Sequence, residues 1–154
     1  MKLISLLTLL FSVAAFAQLA NKKAMTLEAA KKIAAAAEAE AIANKWTMVI
    51  VIVDDGGNLV YLQKMDETQI GSIDVAVAKA QSAVKFKRPT KAFEDALAGG
   101  RQLIVKLPGA MPVEGGVPLM IDGKVVGAIG VSGGQAPDDG KVAAAGVKVF
   151  EKMK

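Results

Sequence analysis

The sequence predicts an α+β fold, a three-layer α-β-α sandwich built around a mainly antiparallel sheet. One observation is the order of elements, which is helix, two strands, two helices, a loop with one short strand, two strands and a final helix. Another is that tight turns join the strands in pairs, which makes paired strands antiparallel. With 154 residues and 53% hydrophobic residues, the chain has enough apolar surface for one core.

The first seventeen residues have the pattern of a secretory signal peptide. Lys2 gives a positive start, residues 3–14 are mostly apolar, and Ala15-Phe16-Ala17 places small residues before a cut ahead of Gln18. The apolar run is about a dozen residues, short of the roughly 20 that span a bilayer, and no Cys follows to carry a lipid anchor. We expect residues 18–154 to form a single periplasmic or secreted domain without a membrane anchor. Loss of Lys2 lowers the formal net charge from +4 to +3.

The first helix of this domain is predicted to begin after Thr26, a suitable N-cap, and to end near Asn44. Glu28 lies in the first turn, where the helix dipole favours negative charge. The predicted apolar face repeats at three- and four-residue spacing and consists of Leu27, Ala30, Ala34, Ala37 and Ala41. Because most of these side chains are small, we expect the helix to pack closely.

The next segment predicts a β-hairpin. Met48–Val53 is a continuous and largely β-branched apolar run, which is typical of a strand covered on both faces. Residues 54–58 read Asp-Asp-Gly-Gly-Asn and favour a turn. Leu59–Met65 is the expected returning strand.

Two helices are predicted in the middle of the chain. Ser72–Phe86 has helical periodicity, and Pro89 ends the run because it restricts the residue before it. Thr90 is expected to cap a short helix that continues to Leu97 and ends at Gly99-Gly100.

The second half of the sheet is predicted after a long loop. Residues 101–116 are interrupted by Gly and Pro, and we expect one short strand in them, at Leu103–Val105. Val117–Ile121 and Lys124–Val131 flank Asp122-Gly123, which predicts a second hairpin. A final helix follows, with Pro137 in its first turn and a buried face formed by Val142, Gly146, Val149 and Phe150.

The chain contains neither Cys nor His. The absence of Cys excludes disulfides, thiol nucleophiles and thiolate ligation of haem or zinc. The absence of His removes the usual general base and the usual ligand of zinc and haem. Triad hydrolysis and His-based metal catalysis are therefore excluded, and Ser132 has no imidazole to activate it.

Two glycine-rich segments are candidate ligand sites. Gly115-Gly116-Val117-Pro118 would let a ligand approach the backbone closely, or it forms the tight start of a strand; both interpretations remain open. Ser132-Gly133-Gly134 precedes a helix, whose free N–H groups attract anions. The alternative there is a strand-to-helix turn capped by the acidic Asp138 and Asp139.

A basic cluster surrounds Pro89 and consists of Lys85, Lys87, Arg88 and Lys91. The Arg88 guanidinium has the fork geometry that binds a carboxylate, whereas the alternative is a solvated helix end. The low net charge and the lack of interleaved aromatic residues argue against nucleic-acid binding.

Three stretches carry a resemblance to a known family. They are the segment 53–66 (VDDGGNLVYLQKMD), the segment 72–90 that ends in Phe86-Lys87-Arg88-Pro89-Thr90, and the segment 115–134 (GGVPLMIDGKVVGAIGVSGG). In this order and spacing, the chain from Leu27 onward resembles the GlcG/HbpS-like family of haem-binding or haem-degrading domains. The resemblance implies a profilin-like α-β-α fold, homo-oligomeric assembly and, for some members, binding of haem or a related tetrapyrrole. Other relatives occur in glycolate, diol or corrinoid metabolism.

These observations define a set of candidate ligand-binding residues, namely Lys79, Arg88, Pro89, Gly115, Gly116, Val117, Ser132 and Gly133. If haem binds, only Met and Tyr side chains remain as protein ligands to its iron. Met111 in the long loop and Tyr61 are the candidate iron ligands, with core packing as the alternative for Tyr61. Met65 and Met120 lie on strands, where core packing is favoured. Binding of the macrocycle without a protein–iron bond is also open. The acidic side chains near Asp54 could hold a hard cation but are more simply turn residues.

The leading hypothesis is an exported oligomeric protein that binds haem, another tetrapyrrole or a small acidic ligand. An alternative is an enzyme acting on haem or on a small hydroxy- or oxo-acid, in which Lys79 or Arg88 supplies charge. A further alternative is a structural assembly domain that binds no ligand.

Overall fold

The computed structural model describes residues 22–153. The predicted signal peptide lies outside these residues, so its removal and the domain boundary at Gln18 stay predictions. Between residues 22 and 153, no helix combines the length and apolar character needed to cross a membrane.

The described residues form helices on both sides of an antiparallel sheet. The helices are α1 (Leu27–Ala43), α2 (Ser72–Phe86), α3 (Lys91–Ala98) and α4 (Ala136–Glu151), with a short 3-10 helix at Gln102–Lys106. The strands are β1 (Val49–Asp54), β2 (Leu59–Lys64), β3 (Gly116–Ile121) and β4 (Lys124–Ser132). Their order across the sheet is β2-β1-β4-β3, and every neighbouring pair is antiparallel. The predicted α+β fold is confirmed.

The central strand β1 is buried on both faces, as its sequence predicts. Ile50 and Ile52 pack into a core with α1 and α4, which lie together on one face. Val49, Val51 and Val53 pack against α2 on the other face. The two terminal helices therefore form one outer layer, and α2 forms the other.

Helix α1 agrees with its predicted ends but not with every residue of its predicted face. The Ala29 N–H donates to the Thr26 hydroxyl at 3.1 Å, and Asn44 is the C-cap. Leu27 is 50% exposed, so its assignment to the apolar face is wrong. The stripe begins at Ala30 and includes the fully buried Ile33.

Helix α2 contacts the sheet with its backbone at two glycines. A Cβ atom on Gly130 would lie 2.6 Å from the backbone nitrogen of Ala80 and would overlap the carbonyl oxygen of Ala76. A Cβ on Gly116, which pairs with Gly130 in the sheet, would overlap the carbonyl of Lys79. The absence of side chains at both positions brings α2 close enough for Lys79 to reach the end of the sheet.

The strand predicted at Leu103–Val105 is wrong. These residues lie in the 3-10 helix, in which the Ile104 N–H donates to the Arg101 carbonyl at 3.2 Å. Within residues 22–153 the sheet consists of β2, β1, β4 and β3, and this segment pairs with none of them. Local i to i+3 hydrogen bonds therefore satisfy its backbone instead.

We expect Gly130→Ala to lower the free energy of unfolding by about 1–3 kcal/mol, because the added methyl group would push α2 away from the sheet. Chemical denaturation measures the loss. Gly71→Ala is the matched control, since a Cβ there meets nothing within 4 Å. Equal stability of the two variants would contradict the close packing of α2.

Candidate functional site

Lys79 and Asp139 form a buried ion pair at the end of the sheet. Lys79 lies in the apolar stripe of α2, and its side chain is 1% exposed. Its Nζ donates to Asp139 Oδ2 at 2.6 Å and to the Val131 carbonyl at 3.1 Å. Asp139 lies in the first turn of α4, and its Oδ1 accepts from the Gly134 N–H at 3.0 Å. The pair thus joins α2, β4 and α4.

The charged groups of this pair are buried and hydrogen-bonded within the protein. Burial raises the pKa of Asp139 above its ordinary value, and the hydrogen bond from Lys79 acts in the opposite direction. Within residues 22–153, no buried side-chain nitrogen or oxygen lacks a hydrogen-bond partner. The ligand-binding role predicted for Lys79 stays a prediction, and in this structure its ammonium group is engaged by Asp139.

The double glycine closes over the pair. Gly115 has a φ of +127°, and a Cβ there would lie 2.6 Å from the Val131 carbonyl oxygen and 3.0 Å from Lys79 Nζ. The Gly116 N–H donates to the Thr90 hydroxyl at 2.9 Å, and the Thr90 N–H donates to the Gly116 carbonyl at 2.9 Å. These contacts favour the strand-start interpretation of the segment, because they already use the Gly116 amide.

Thr90 differs from its predicted role. It is the N-cap residue of α3 by position, but its hydroxyl makes no capping hydrogen bond. Thr90 is fully buried, and its hydroxyl is directed to Gly116 on β3 instead. The tertiary hydrogen bond replaces the local one because β3 passes directly beside the start of α3.

The Ser132-Gly133-Gly134 turn contacts the same ion pair from the other side. Ser132 ends β4 and is 5% exposed, and a Cβ on Gly133 would overlap the Thr47 carbonyl. The Gly134 N–H, which an external anion could have used, is taken by the Asp139 carboxylate. The geometry favours the interpretation as a turn with acidic capping, and anion binding here stays a prediction.

An open groove of about 340 Å³ runs along the outer edge of β3. We call it the β3-edge groove, and its lining residues are Lys87, Pro89, Val117, Pro118, Met120, Val147, Phe150 and Glu151. It therefore contains Pro89 and Val117 from the predicted set. Its walls are mainly apolar, and its charged residues are the cation of Lys87 and the carboxylate of Glu151.

Arg88 lies in a different depression, a hollow of about 140 Å³ between the end of α2, α3 and the 3-10 helix. We call it the arginine hollow, and its lining residues are Phe86, Arg88, Ala92, Phe93, Ala96, Arg101, Ile104 and Leu107. Lys87 and Arg88, which are neighbours in the chain just after α2, thus line two different depressions. Lys87 has a left-handed φ of +53°, and this turn separates the groove from the hollow.

A third depression, of about 280 Å³, lies beside Lys22, Lys23 and Lys124 and contains none of the predicted site residues. Its wall begins at the first described residue, Lys22.

The candidate iron ligands lie outside both the groove and the hollow. The Tyr61 hydroxyl donates to Gln63 Oε1 at 3.1 Å, and its ring packs on the core beneath α1 and α4. The Met111 N–H donates to Ser82 Oγ at 3.0 Å. Met120, which sequence reasoning assigned to core packing, instead lines the β3-edge groove. Among the described residues, no group of three or more acidic side chains could hold a metal ion.

Sequence reasoning missed Asp139 and Arg101 as site residues. Asp139 was interpreted only as a helix-capping acid, although a signal was present in α2. Lys79 falls between the apolar Ala76 and Ala80, and a lysine in a buried stripe requires an acidic partner. No comparable signal exists for Arg101, because its neighbours show no periodicity.

Comparison with known proteins gives consistent results. The family model described as "Haem degrading protein HbpS-like" matches residues 25–148. The chain is 37% identical over 112 residues to protein GlcG of Escherichia coli K12, which covers 73% of this chain and 84% of GlcG.

Solved structures show the same relationship. A double mutant of HbpS from Streptomyces reticuli superposes with a TM-score of 0.77 at 33% identity, covering 85% of this chain and 90% of that one. A PduOC:haem complex superposes with a TM-score of 0.74 at 25% identity, covering 82% of this chain and 94% of that one.

We expect Lys79→Met to lower the free energy of unfolding by about 3–5 kcal/mol, because it leaves the Asp139 carboxylate buried without its cation. The double variant Lys79→Met/Asp139→Asn should lose less than the sum of the two single variants. Chemical denaturation of the four proteins measures this coupling.

The exposed pair of Lys32 and Glu28 is the matched control, since its nitrogen–oxygen distance of 2.7 Å is similar. Lys32→Met should change stability by less than about 0.5 kcal/mol, because water screens that pair. A cost of Lys79→Met no larger than this would contradict the importance of the buried pair.

Proposed function

The chain belongs to the HbpS-like family of haem-degrading proteins, and from this premise we propose that it binds haem, another tetrapyrrole or a similar acidic ligand in the β3-edge groove. The observation that carries the proposal is the composition of this groove. It combines apolar walls and a methionine with one lysine and one glutamate, Lys87 and Glu151. The haem-bound PduOC structure supports the proposal, because the relative superposes over most of this chain.

The donor set of the groove fits haem. Val117, Pro118 and Val147 offer apolar surface to a flat macrocycle, and Lys87 can pair with a propionate. Because the sequence has no His and no Cys, the thioether of Met120 is the available soft ligand in the groove. Bound haem would supply an iron centre with its redox chemistry. The residues of this chain would hold the macrocycle and screen it from water.

The size of the groove favours a second subunit. At about 340 Å³, it lies near the lower end of the roughly 300–1,000 Å³ of small-molecule sites, so a tetrapyrrole would project from it. The groove also borders an unpaired edge of the sheet. We therefore propose that a second copy of the chain covers the exposed part of the ligand, in a homo-oligomer.

The proposed location is the periplasm or the extracellular space. It rests on the signal-peptide pattern of residues 1–17 and on the absence of Cys, which suits an oxidising compartment. Export would make the protein a carrier or a sensor of ligand outside the cytoplasm.

The second candidate is an enzyme that acts on haem or on a small hydroxy- or oxo-acid. The description of the matched family as haem-degrading favours it. In such an enzyme, the groove cation Lys87 would supply charge, as would Arg88 in its hollow. Lys79 would need to leave Asp139 first.

Titration of the purified protein with haemin tests the proposed function. We expect a Soret band that differs from free haemin and saturates with protein concentration. Met120→Leu nearly preserves the side-chain volume but removes the sulfur, so it should shift the band of the bound form. Met111→Leu is the control and should leave the band of the wild type unchanged.

The same titration tests whether the positive charge of Lys87 contributes to haemin binding. Lys87→Glu should weaken haemin binding roughly tenfold, because a propionate would then face a carboxylate. Lys85→Glu makes the same charge change outside the groove and should have a smaller effect. A spectrum identical to that of free haemin would refute haem binding.

A further inference from the structure

The arginine hollow is lined by two arginines and otherwise only by apolar residues. Arg88 follows α2 and Arg101 follows α3, yet both line the same hollow. Its remaining walls come from Phe, Ala, Ile and Leu side chains. Such a combination of apolar surface with a few convergent charged groups is typical of a small-molecule site.

The hollow has a rigid floor. Phe93 is 4% exposed and Ile104 is 3% exposed. The Phe86 and Phe93 rings meet edge to face, with centroids 5.0 Å apart. The Arg88 guanidinium lies 5.4 Å from the centre of the Phe93 ring, and this contact orients it toward the hollow. Arg88 is therefore positioned before any ligand arrives.

The backbone at Arg101 is also held in place. Gly100 has a φ of +92°, which lets the chain reverse after α3. The Arg101 N–H then donates to the Ala96 carbonyl at 2.9 Å, and the Arg101 carbonyl accepts from the Ile104 N–H at 3.2 Å. The 3-10 helix is thereby attached to α3, and Arg101 starts at the rim of the hollow.

The acidic residues of α3 are engaged elsewhere. Lys91 pairs with Asp95 and lies 3.9 Å from Glu94, and the other Glu94 oxygen accepts from the Glu114 N–H at 2.6 Å. Within residues 22–153, no ion pair involves Arg88 or Arg101. The Arg88 Nε–H donates to the Phe86 carbonyl at 3.4 Å, so its two terminal nitrogens remain for a carboxylate from outside the chain.

We propose that the arginine hollow binds a small carboxylate that carries one compact apolar group, such as an aromatic monocarboxylate. The planar fork of arginine matches the two oxygens of a carboxylate. The apolar part would lie on Phe93 and Ile104. A volume of about 140 Å³ is close to the roughly 150 Å³ of an apolar cavity that holds benzene, so one ring fits and a tetrapyrrole does not.

This site is separate from the proposed haem site. No residue lines both the hollow and the β3-edge groove. Failure of haemin binding would therefore leave the carboxylate site untouched, and the reverse holds as well.

Benzoate is the probe for the experiment. We expect titration of the ¹⁵N-labelled protein to shift the amide signals of Phe93, Arg101 and Ile104 in a saturable way. Benzamide has the same shape without the charge, and acetate has the charge without the ring. Both should bind at least roughly tenfold more weakly, because each lacks one of the two interactions.

Arg88→Gln and Arg101→Gln should each weaken benzoate binding roughly tenfold or more, since each removes a charge-assisted hydrogen-bond donor pair. Lys106 lies in the 3-10 helix that follows Arg101 but does not line the hollow. Lys106→Gln removes one charge there and should leave benzoate affinity unchanged. Both arginines are exposed, and unchanged melting temperatures of the variants would show that they fold.

Three results would overturn the proposal. One is the absence of saturable shifts at the hollow with benzoate. Another is equal binding of acetate and benzoate, which would show that the apolar walls play no part. The third is equal loss of affinity in Lys106→Gln and in the two arginine variants, which would indicate only a general charge effect.

Discussion

The ion pair between Lys79 and Asp139 is the constraint on which the arrangement of this molecule depends. It joins α2, on one face of the sheet, to the start of α4, which belongs to the opposite layer. Removing two charges from water is costly, so the pair is stable only where other groups complete its hydrogen bonds. The Val131 carbonyl and the Gly134 N–H do so. Gly115 follows from the same requirement, because a Cβ there would lie 2.9 Å from the Asp139 Cβ and 3.0 Å from Lys79 Nζ.

This constraint determines which polar groups remain available for function. The amides of the two glycine-rich segments, which in isolation look like anion sites, are used by Thr90 and by Asp139. The groups left for a ligand lie where α2 ends. There the left-handed turn at Lys87 directs neighbouring cations into two different depressions, Lys87 into the β3-edge groove and Arg88 into the arginine hollow. The two proposed ligand sites therefore lie at a corner of the fold and not at its centre.

Family membership and site chemistry answer different questions about this protein. The family association with haem is clear from the matched model and from the haem-bound relative. The chain itself has no imidazole and no thiolate, so any iron ligation must come from the weaker choices of thioether or phenol. Of these, the thioether of Met120 lines the β3-edge groove. The shared fold therefore supports the proposal that this protein binds haem.

The sequence by itself determined the elements whose signals are local. The N-cap at Thr26, the extent of Ser72–Phe86, the two hairpins and the burial of β1 on both faces follow from turn chemistry and from hydrophobic periodicity. Only the tertiary structure decided the contacts between distant residues. Lys79 and Asp139 are 60 positions apart, and their pairing depends on how closely α2 lies on the sheet. The separation of groove from hollow likewise arises from packing between elements, and no local pattern encodes a distance across the fold.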